Sequence, residues 1–357
     1  MARTELATSV PGPVRDHGFH RLRVAGVVRE TADASSFVLE VPEELRRSFA
    51  YQAGQFCNLR VEIDGTSHVR CYSMSSSPAL GEPLQVTVKR VPGGVVSNWL
   101  VDHLGVGDEI DVGVPAGFFQ LTPVAGDLVT FAAGSGITPV FSLLKTALAT
   151  TGRRARLLYA NRDRDSIIFD AELRALEERH GGRLSVAHHL DAEDGYVTSD
   201  DVRSLVDAGW APPGAEYYVC GPGPFMDIVE EVLLAQGVDE DRLHIERFTP
   251  AELLVVPEPV DGPAGTATRV TVELNGRTDS TDHRPGATIL QTARQMGMSP
   301  PFSCESGSCA TCMARLVEGT VSMFTNNALT ADEVEDGWIL TCQSVPTSGS
   351  VRVVYEP

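Results

Sequence analysis

Lysine is almost missing from this chain: among 29 basic side chains in 357 residues, only Lys89 and Lys145 are lysines and the rest are arginines. The bias reads as genome composition rather than function. Positive charge of any kind is scarce beside 48 acidic residues, and the formal net charge is −19. That balance argues against nucleic acid and anionic membrane as partners. Long apolar runs are absent, so no segment reaches the length needed to cross a bilayer. The opening residues Met1-Ala2-Arg3-Thr4-Glu5 lack the apolar core of a secretory signal, and the expectation is a cytoplasmic protein. An odd total of seven cysteines without such a signal speaks against a disulfide framework. Against these absences stands a hydrophobic content of 42% over 357 residues, enough for two to three packed domains.

Four of the cysteines carry the strongest pattern. Cys304, Cys309, Cys312 and Cys342 stand as C-x4-C-x2-C followed, after 29 residues, by a fourth C. That is the ligand spacing of a plant-type [2Fe–2S] cluster, held by four thiolates. The residues between them, Glu305-Ser306-Gly307-Ser308 and Ala310-Thr311, are mostly small and let backbone N–H groups approach bridging sulfides. A zinc site would ask for a second C-x2-C knuckle, which is missing. The remaining cysteines, Cys57, Cys71 and Cys220, read as free thiols.

Along the chain, residues 1–18 read as a flexible tail. From 19 to 123, short alternating runs punctuated by Gly54, Asp64-Gly65, Gly81 and Gly107-Asp108 predict an antiparallel β-barrel or sandwich. From 124 to 249, strands near 128–133, 156–160, 184–189 and 216–220 alternate with helices near 139–149 and 171–179, which predicts a parallel α/β sheet. A Pro- and Gly-rich stretch over 250–266 reads as a linker. The final unit, 267–357, opens with a hairpin turning at Asn275-Gly276 and a helix near 288–296, ahead of the cysteine loop.

Four loops hold the residue types that bind nucleotides. Arg70-Cys71-Tyr72-Ser73 ends a barrel strand, where an arginine can pair a phosphate and a serine can meet a ring nitrogen. Pro92-Gly93-Gly94-Val95-Val96-Ser97 leads into a helix start suited to a pyrophosphate; a plain hairpin turn would use the same residues. Gly134-Ser135-Gly136-Ile137-Thr138-Pro139 follows the first parallel strand, although Pro139 stands where G-x-G-x-x-G would place its third glycine. Cys220-Gly221-Pro222, with Phe225 and Met226 beyond, ends another strand at the same sheet edge. His188-His189 has no partner at ligand spacing and reads as an ordinary strand-end pair.

Taken in that order, these motifs resemble the ferredoxin–NADP reductase superfamily, in the branch with a plant-type ferredoxin fused at the C-terminus. The resemblance covers about residues 19–357. It points to FAD-containing reductase components of bacterial oxygenases, the group that includes 3-ketosteroid 9α-hydroxylase reductases and phenylacetyl-CoA epoxidase reductases. The resemblance implies a β-barrel FAD domain, an α/β NAD domain and an α+β β-grasp ferredoxin domain. It implies that Arg70, Cys71, Tyr72 and Ser73 hold the flavin, with Thr87, Val88 and Lys89 along its outer face and Gly94, Val95, Val96 and Ser97 at the pyrophosphate. Gly134, Ser135, Gly136, Ile137, Thr138 and Pro139 would meet the nicotinamide nucleotide. Cys220, Gly221, Pro222, Phe225 and Met226 would close that site, with Cys220 beside the hydride donor, Ser73 beside the hydride acceptor and Phe248 shielding the flavin. Its FMN-dependent relatives use a different phosphate segment, which favours FAD here.

At Asn161-Arg162-Asp163, after the second parallel strand, the arginine favours a ribose 2′-phosphate and the aspartate repels one; NADH is expected, with NADPH as the alternative. The implied activity passes electrons from NADH through FAD and the [2Fe–2S] cluster to a separate, Rieske-type oxygenase, with the chain itself a monomer. The alternatives are a stand-alone diaphorase or oxidase, a reductase serving a diiron epoxidase, and a non-enzymatic redox sensor. Residues 267–357 hold ten acidic and six basic residues, 10 − 6 = 4 net negative, only weak support for docking to a basic patch.

Overall fold

A computed structural model describes residues 19–206, 209, 212–248, 268–298, 300–302, 307, 310–326 and 328–355. The expected tail and linker lie outside these residues, as do Cys304 and Cys309.

The first unit comprises β1 (Phe19–Arg29), β2 (Ala34–Glu40), β3 (Phe56–Ile63), β4 (Thr66–Ser73), β5 (Leu84–Lys89), α1 (Val95–His103) and β6 (Glu109–Gly113). The strands form a curled antiparallel sheet in the order β4-β3-β6-β1-β2-β5. Its two edges meet through a bridge between Met74 and Val86 and the Ser75 N–H donating to Gln85 O at 2.9 Å. The closure follows from alternation: Leu22, Val24, Phe37, Leu39, Leu59, Val61, Val86 and Val88 all point inward to one core, which the right-handed twist of the strands wraps around.

The second unit follows as β7 (Leu128–Ala133), α2 (Ile137–Thr150), β8 (Ala155–Asn161), α3 (Asp170–His180), β9 (Leu184–Leu190), α4 (Asp191–Asp194), α5 (Ser199–Leu205), β10 (Glu216–Gly221), α6 (Gly223–Ala235) and β11 (Leu243–Arg247). Its strands are all parallel, in the order β11-β10-β7-β8-β9. Every residue of β7 and β10 is buried, as expected of central parallel strands covered on both faces. The chain runs outward from β7 through β8 and β9, then returns to β10 on the other side. The topological switch therefore falls between β7 and β10, whose carboxyl ends define the crevice where such sheets take ligands.

Helix α2 is buried on nearly all sides because it serves both units. Ala34, Ala53 and Phe119 from the first unit share one apolar cluster with Ile137, Val140, Phe141, Leu143 and Leu144. Polar contacts reinforce the joint: Ser142 Oγ donates to Ser76 O at 2.6 Å, Ser77 Oγ and Thr146 Oγ1 lie 2.7 Å apart, and Lys145 pairs with Glu82.

The third unit contains β12 (Arg269–Leu274), β13 (Arg277–Asp282), α7 (Ile289–Gln295), β14 (Met313–Glu318), β15 (Val321–Met323), α8 (Ala331–Glu335), β16 (Trp338–Leu340), β17 (Ser344–Pro346) and β18 (Ser350–Val354). The sheet β13-β12-β18-β14-β16 is mixed, with β12 parallel to β18. The β12–β13 turn takes positive φ at both Asn275 (52°) and Gly276 (76°), the type I′ geometry that an Asn-Gly pair favours. Among the described residues, no helix is long and apolar enough to cross a membrane.

Candidate functional site

The site is built where strand ends from the first two units approach one another. Strand β5 alternates, so Val86 and Val88 face the barrel core while Lys89 projects toward the second unit. A β-carbon placed on Gly134 would lie 3.4 Å from Lys89 Nζ, which sets the ammonium against the turn after β7. Gly134 has φ +53°, a left-handed conformation that suits glycine. Two residues on, a β-carbon at Gly136 would overlap the Cys220 carbonyl oxygen, and one at Gly221 would come within 2.9 Å of the Ala133 β-carbon. Glycine at both positions lets the turns after β7 and β10 pack backbone to backbone.

The expected flavin residues divide by the pleat of β4. Ser73 is 2% exposed and its Oγ has no hydrogen-bond partner. A buried hydroxyl left unpaired costs about 1–3 kcal/mol, so a polar ligand atom at that point would be favoured. Tyr72 packs against the barrel core, and burial pushes its phenol well above the ordinary value. Arg70 is half-buried, with Nη1 donating to Val69 O at 2.8 Å, and Cys71 Sγ lies 3.1 Å from Asn58 Oδ1. Thr87 Oγ1 is 2.7 Å from Ser36 Oγ and donates to Ser75 Oγ at 2.9 Å. The Val88 side chain is fully enclosed in the barrel core, so only its backbone remains to meet a ligand. Val96 is likewise a core residue, whereas Val95 is exposed.

The turn before α1 is tighter than glycine content alone suggests. Ser97 Oγ accepts from Val91 N at 3.1 Å, and Asn98 Nδ2 donates to Gly94 O at 2.6 Å and Val91 O at 3.1 Å. Arg90 Nη1 in turn donates to Asp102 Oδ2 at 3.0 Å. Sequence reasoning missed Asn98 and Arg90; the signals available were a polar residue four positions past Gly94 and an arginine four positions before it. Helices α1, α2 and α6 start on Gly94, Gly136 and Pro222 with no side-chain cap. By contrast, α5, α7 and α8 each begin on a threonine capping box. The helices behind the three expected ligand loops therefore keep N-terminal amides uncommitted to side chains.

On the nucleotide side, Cys220 is fully buried and packs in the cluster that contains Ile137 and Tyr159. Burial, followed by the nearby Glu246 charge, pushes its thiol well above the ordinary range, so it is a neutral packing group rather than a thiolate. Thr138 Oγ1 donates to Ser135 O at 2.9 Å, and Ile137, Thr138 and Pro139 are buried in the first turn of α2. Phe225 and Met226 are buried on the other face of the sheet with Val219, and Pro222 precedes them as the exposed cap of α6. Phe248 stands directly after β11, partly buried against the Cys220 cluster.

Asn161 is 4% exposed and both its amide atoms lack partners. Arg162 beside it is exposed and committed: Nε donates to Asp163 Oδ2 at 2.8 Å, and Nη1 lies 4.0 Å from Asp33 Oδ2. That pairing holds the Asp163 carboxyl below its ordinary value. The Ala192 N–H donates to Arg162 O at 2.9 Å, which brings the acidic α4, with Asp191, Glu193 and Asp194, to the same edge. Glu193 pairs with Arg164 at 3.3 Å. The sequence reading passed over α4. His189 Nε2 bonds Gly195 O at 2.8 Å and His188 tilts against Tyr159; no group of three metal-ligating side chains occurs among the described residues.

In the third unit Cys312 and Cys342 are 2% and 5% exposed and share a cluster with Leu290, Ala328, Leu329 and Leu340. Pairing of Met313 with Leu340 places them on adjacent strand ends. A β-carbon at Gly307 would fall 2.6 Å from Thr325 O, so the backbone of Gly307 lies close against that of Thr325. The Thr311 hydroxyl is buried without a partner. Thiols enclosed by apolar residues beside an unpaired donor fit a sulfur-bridged cluster, just as Ser73 and Asn161 fit a flavin and a nucleotide.

Comparison with known proteins agrees in all three units. The family model described as "Oxidoreductase FAD-binding domain" matches residues 21–121, "Oxidoreductase NAD-binding domain" matches 131–231, and "2Fe-2S iron-sulfur cluster binding domain" matches 272–347. The chain is 40% identical over 342 residues to a "3-ketosteroid-9-alpha-monooxygenase, ferredoxin reductase component" of Rhodococcus rhodochrous, covering 94% of this chain and 96% of that protein. It is 32% identical over 360 residues to a component of the 1,2-phenylacetyl-CoA epoxidase of Escherichia coli K12, covering 95% and 98%. Among solved structures, phthalate dioxygenase reductase matches with a TM-score of 0.60 at 26% identity, covering 95% and 98%.

Proposed function

The chain belongs to the family of ferredoxin reductase components that join FAD-binding, NAD-binding and [2Fe–2S] domains in one polypeptide, and on that premise we propose that it carries electrons from NADH to a separate oxygenase. We place the domains at 19–123, 124–249 and 267–357, joined across 250–266. The observation that carries the reading is the convergence at the strand ends: Lys89 against Gly134, and Gly136 against Cys220, next to a barrel strand that ends on the unpaired Ser73 hydroxyl. When bound, FAD and the cluster supply the conversion of a two-electron hydride donor into single electrons, and the protein contributes position and electrostatics.

Within that scheme Arg70 and the amides at Gly94–Ser97 hold the FAD phosphates. Ser73 donates to the flavin ring from the barrel side. The Gly134–Pro139 turn and Asn161 seat the nicotinamide nucleotide. Cys220, neutral and enclosed, keeps the two turns at fixed separation instead of reacting. Cys304, Cys309, Cys312 and Cys342 hold the cluster.

Selection of NADH rests on Arg162. Its charge is taken up by Asp163 and Asp33, and the acidic α4 lies alongside, so a ribose 2′-phosphate would meet more negative than positive charge. The partner is a separate oxygenase, as the relatives at 40% identity are named as components of a monooxygenase. Steady-state kinetics with NADH and NADPH, using ferricyanide and then the reconstituted oxygenase as acceptors, test the proposal. NADH preference with electron delivery to the oxygenase is expected; fast turnover with oxygen alone, unimproved by the oxygenase, would replace it with an oxidase.

A further inference from the structure

Against the backbone of Cys312 lies a chain of buried hydroxyls that the electron-transfer scheme has not used. The Tyr355 hydroxyl donates to Thr341 Oγ1 at 2.8 Å, and Thr341 Oγ1 donates to Cys312 O at 2.8 Å. The same carbonyl also accepts from Thr341 N at 3.2 Å, and Thr341 O accepts from Leu290 N at 3.0 Å. Thr341 is completely buried and Tyr355 is 5% exposed. Tyr355 is itself anchored, its N–H donating to Glu273 O at 2.9 Å at the end of β18.

Two consequences follow from this geometry. The Cys312 peptide is locked, because both lone-pair directions of its carbonyl are occupied. The bonds also run in one direction, from phenol to hydroxyl to carbonyl, so each polarises the next, with the hydrogen-bearing ends directed at the backbone carbonyl of Cys312. Thr341 adjoins Cys342 in sequence, so a single side chain links both described ligands. A carbonyl oxygen can only accept, so the Thr341 hydroxyl must donate to it and take its own hydrogen bond from the Tyr355 hydroxyl, which fixes the direction of the relay.

We propose that Tyr355, acting through Thr341, is a positioning residue that raises the reduction potential of the [2Fe–2S] centre. Adding an electron makes the centre more negative, and hydrogen-bond dipoles aligned toward the backbone of a ligand residue stabilise that state more than the oxidised one. Potentials of such centres respond to hydrogen bonding and burial around the sulfurs. The inference rests on the cluster assignment for Cys304, Cys309, Cys312 and Cys342, and the two can fail separately.

Redox titration of the holoprotein, followed by electron paramagnetic resonance and visible absorption with iron and sulfide assays, tests it. In Tyr355→Phe the ring stays and only the donor is lost. Its reduction equilibrium should shift about threefold to tenfold toward the oxidised form at full iron content, tenfold being 59 mV for one electron. Thr341→Val, which cuts the relay at its centre, should shift it at least as far and gives the same reading if the tyrosine variant folds poorly. Thr341→Ser keeps the hydroxyl and should stay near wild type. A lowered melting temperature with an unchanged potential in Tyr355→Phe would make the phenol merely structural and overturn the proposal. Wild-type protein without iron would instead overturn the cluster assignment on which it rests.

Discussion

Replacing Gly136 with alanine isolates one contact of the site. Gly136 has φ −61° and ψ −14°, a helical conformation open to any residue, so the backbone has no objection to the change. Elsewhere such a substitution stabilises by about 0.4–1 kcal/mol through the unfolded chain. Here the new methyl would meet three backbone atoms of Cys220 and Gly221, none of which can rotate away as a side chain would. Overpacking of this kind costs about 1–3 kcal/mol, and rigid backbone on the receiving side favours the upper part of that range. A net loss of about 2 kcal/mol should lower the melting transition of the parallel-sheet unit by about 5–10 °C. The turns after β7 and β10 would separate, and misplacement of about 1 Å can slow a positioned transfer by on the order of 10²-fold. Gly152→Ala is the matched control: nothing lies within 4 Å of its added carbon, so it should be neutral or slightly stabilising. Differential scanning calorimetry and stopped-flow reduction of the flavin by NADH read the two effects. Wild-type stability and rate in Gly136→Ala would refute the packed-turn geometry outright.

Ser73→Ala removes an unpaired buried hydroxyl, so it should raise the stability of flavin-free protein by about 1 kcal/mol while slowing NADH-driven flavin reduction at normal flavin content; a faster or unchanged rate would free Ser73 of its role. Cys304→Ser should abolish the cluster spectrum yet preserve ferricyanide reduction and lose cytochrome c reduction, and loss of both activities would show that the domains do not work independently. Burial holds His283 below its ordinary value of 6.5, so the unfolded chain takes up a proton first as pH falls. Stability of the cluster domain should therefore decline below about pH 6.5 toward the folded value, and His283→Asn should flatten that decline when melting is followed at the cluster absorbance.

Much of this architecture was legible in the sequence because its signals are local. Asn275-Gly276 specifies its own turn, the uninterrupted apolar run of β7 specifies a covered parallel strand, and the cysteine spacing specifies the kind of domain that the [2Fe–2S] family model matches over 272–347. The residues it hid are those whose role arises from contacts across the chain. Strands β15, β16 and β17 are three residues each, and the sheet is completed by pairings distant in sequence, β12 with β18 and β18 with β14, that no local period announces. Asn98 and Arg90 are ordinary polar residues until the Gly94 turn folds onto them. Val88, read as a lining residue, turns its side chain into the barrel because the pleat allots Thr87 and Lys89 to the other face. Thr341 and Tyr355 lie 14 residues apart and reveal nothing of their link before β18 is in place.

The scarcity of lysine acquires a practical meaning from where the two lysines sit. Lys145 is enclosed between Glu82 and the Phe141 ring, and Lys89 borders the Gly134 turn. Both side-chain amines thus stand at the seam between barrel and parallel sheet. An amine-directed reagent, which decorates most proteins indiscriminately, would here interrogate that seam almost alone. Acylation of Lys145 would require the seam to open, and protection of Lys89 by NADH would report nucleotide occupancy. A mass spectrum of the labelled protein is then a two-channel gauge of domain separation and nucleotide binding, provided by the chain without engineering.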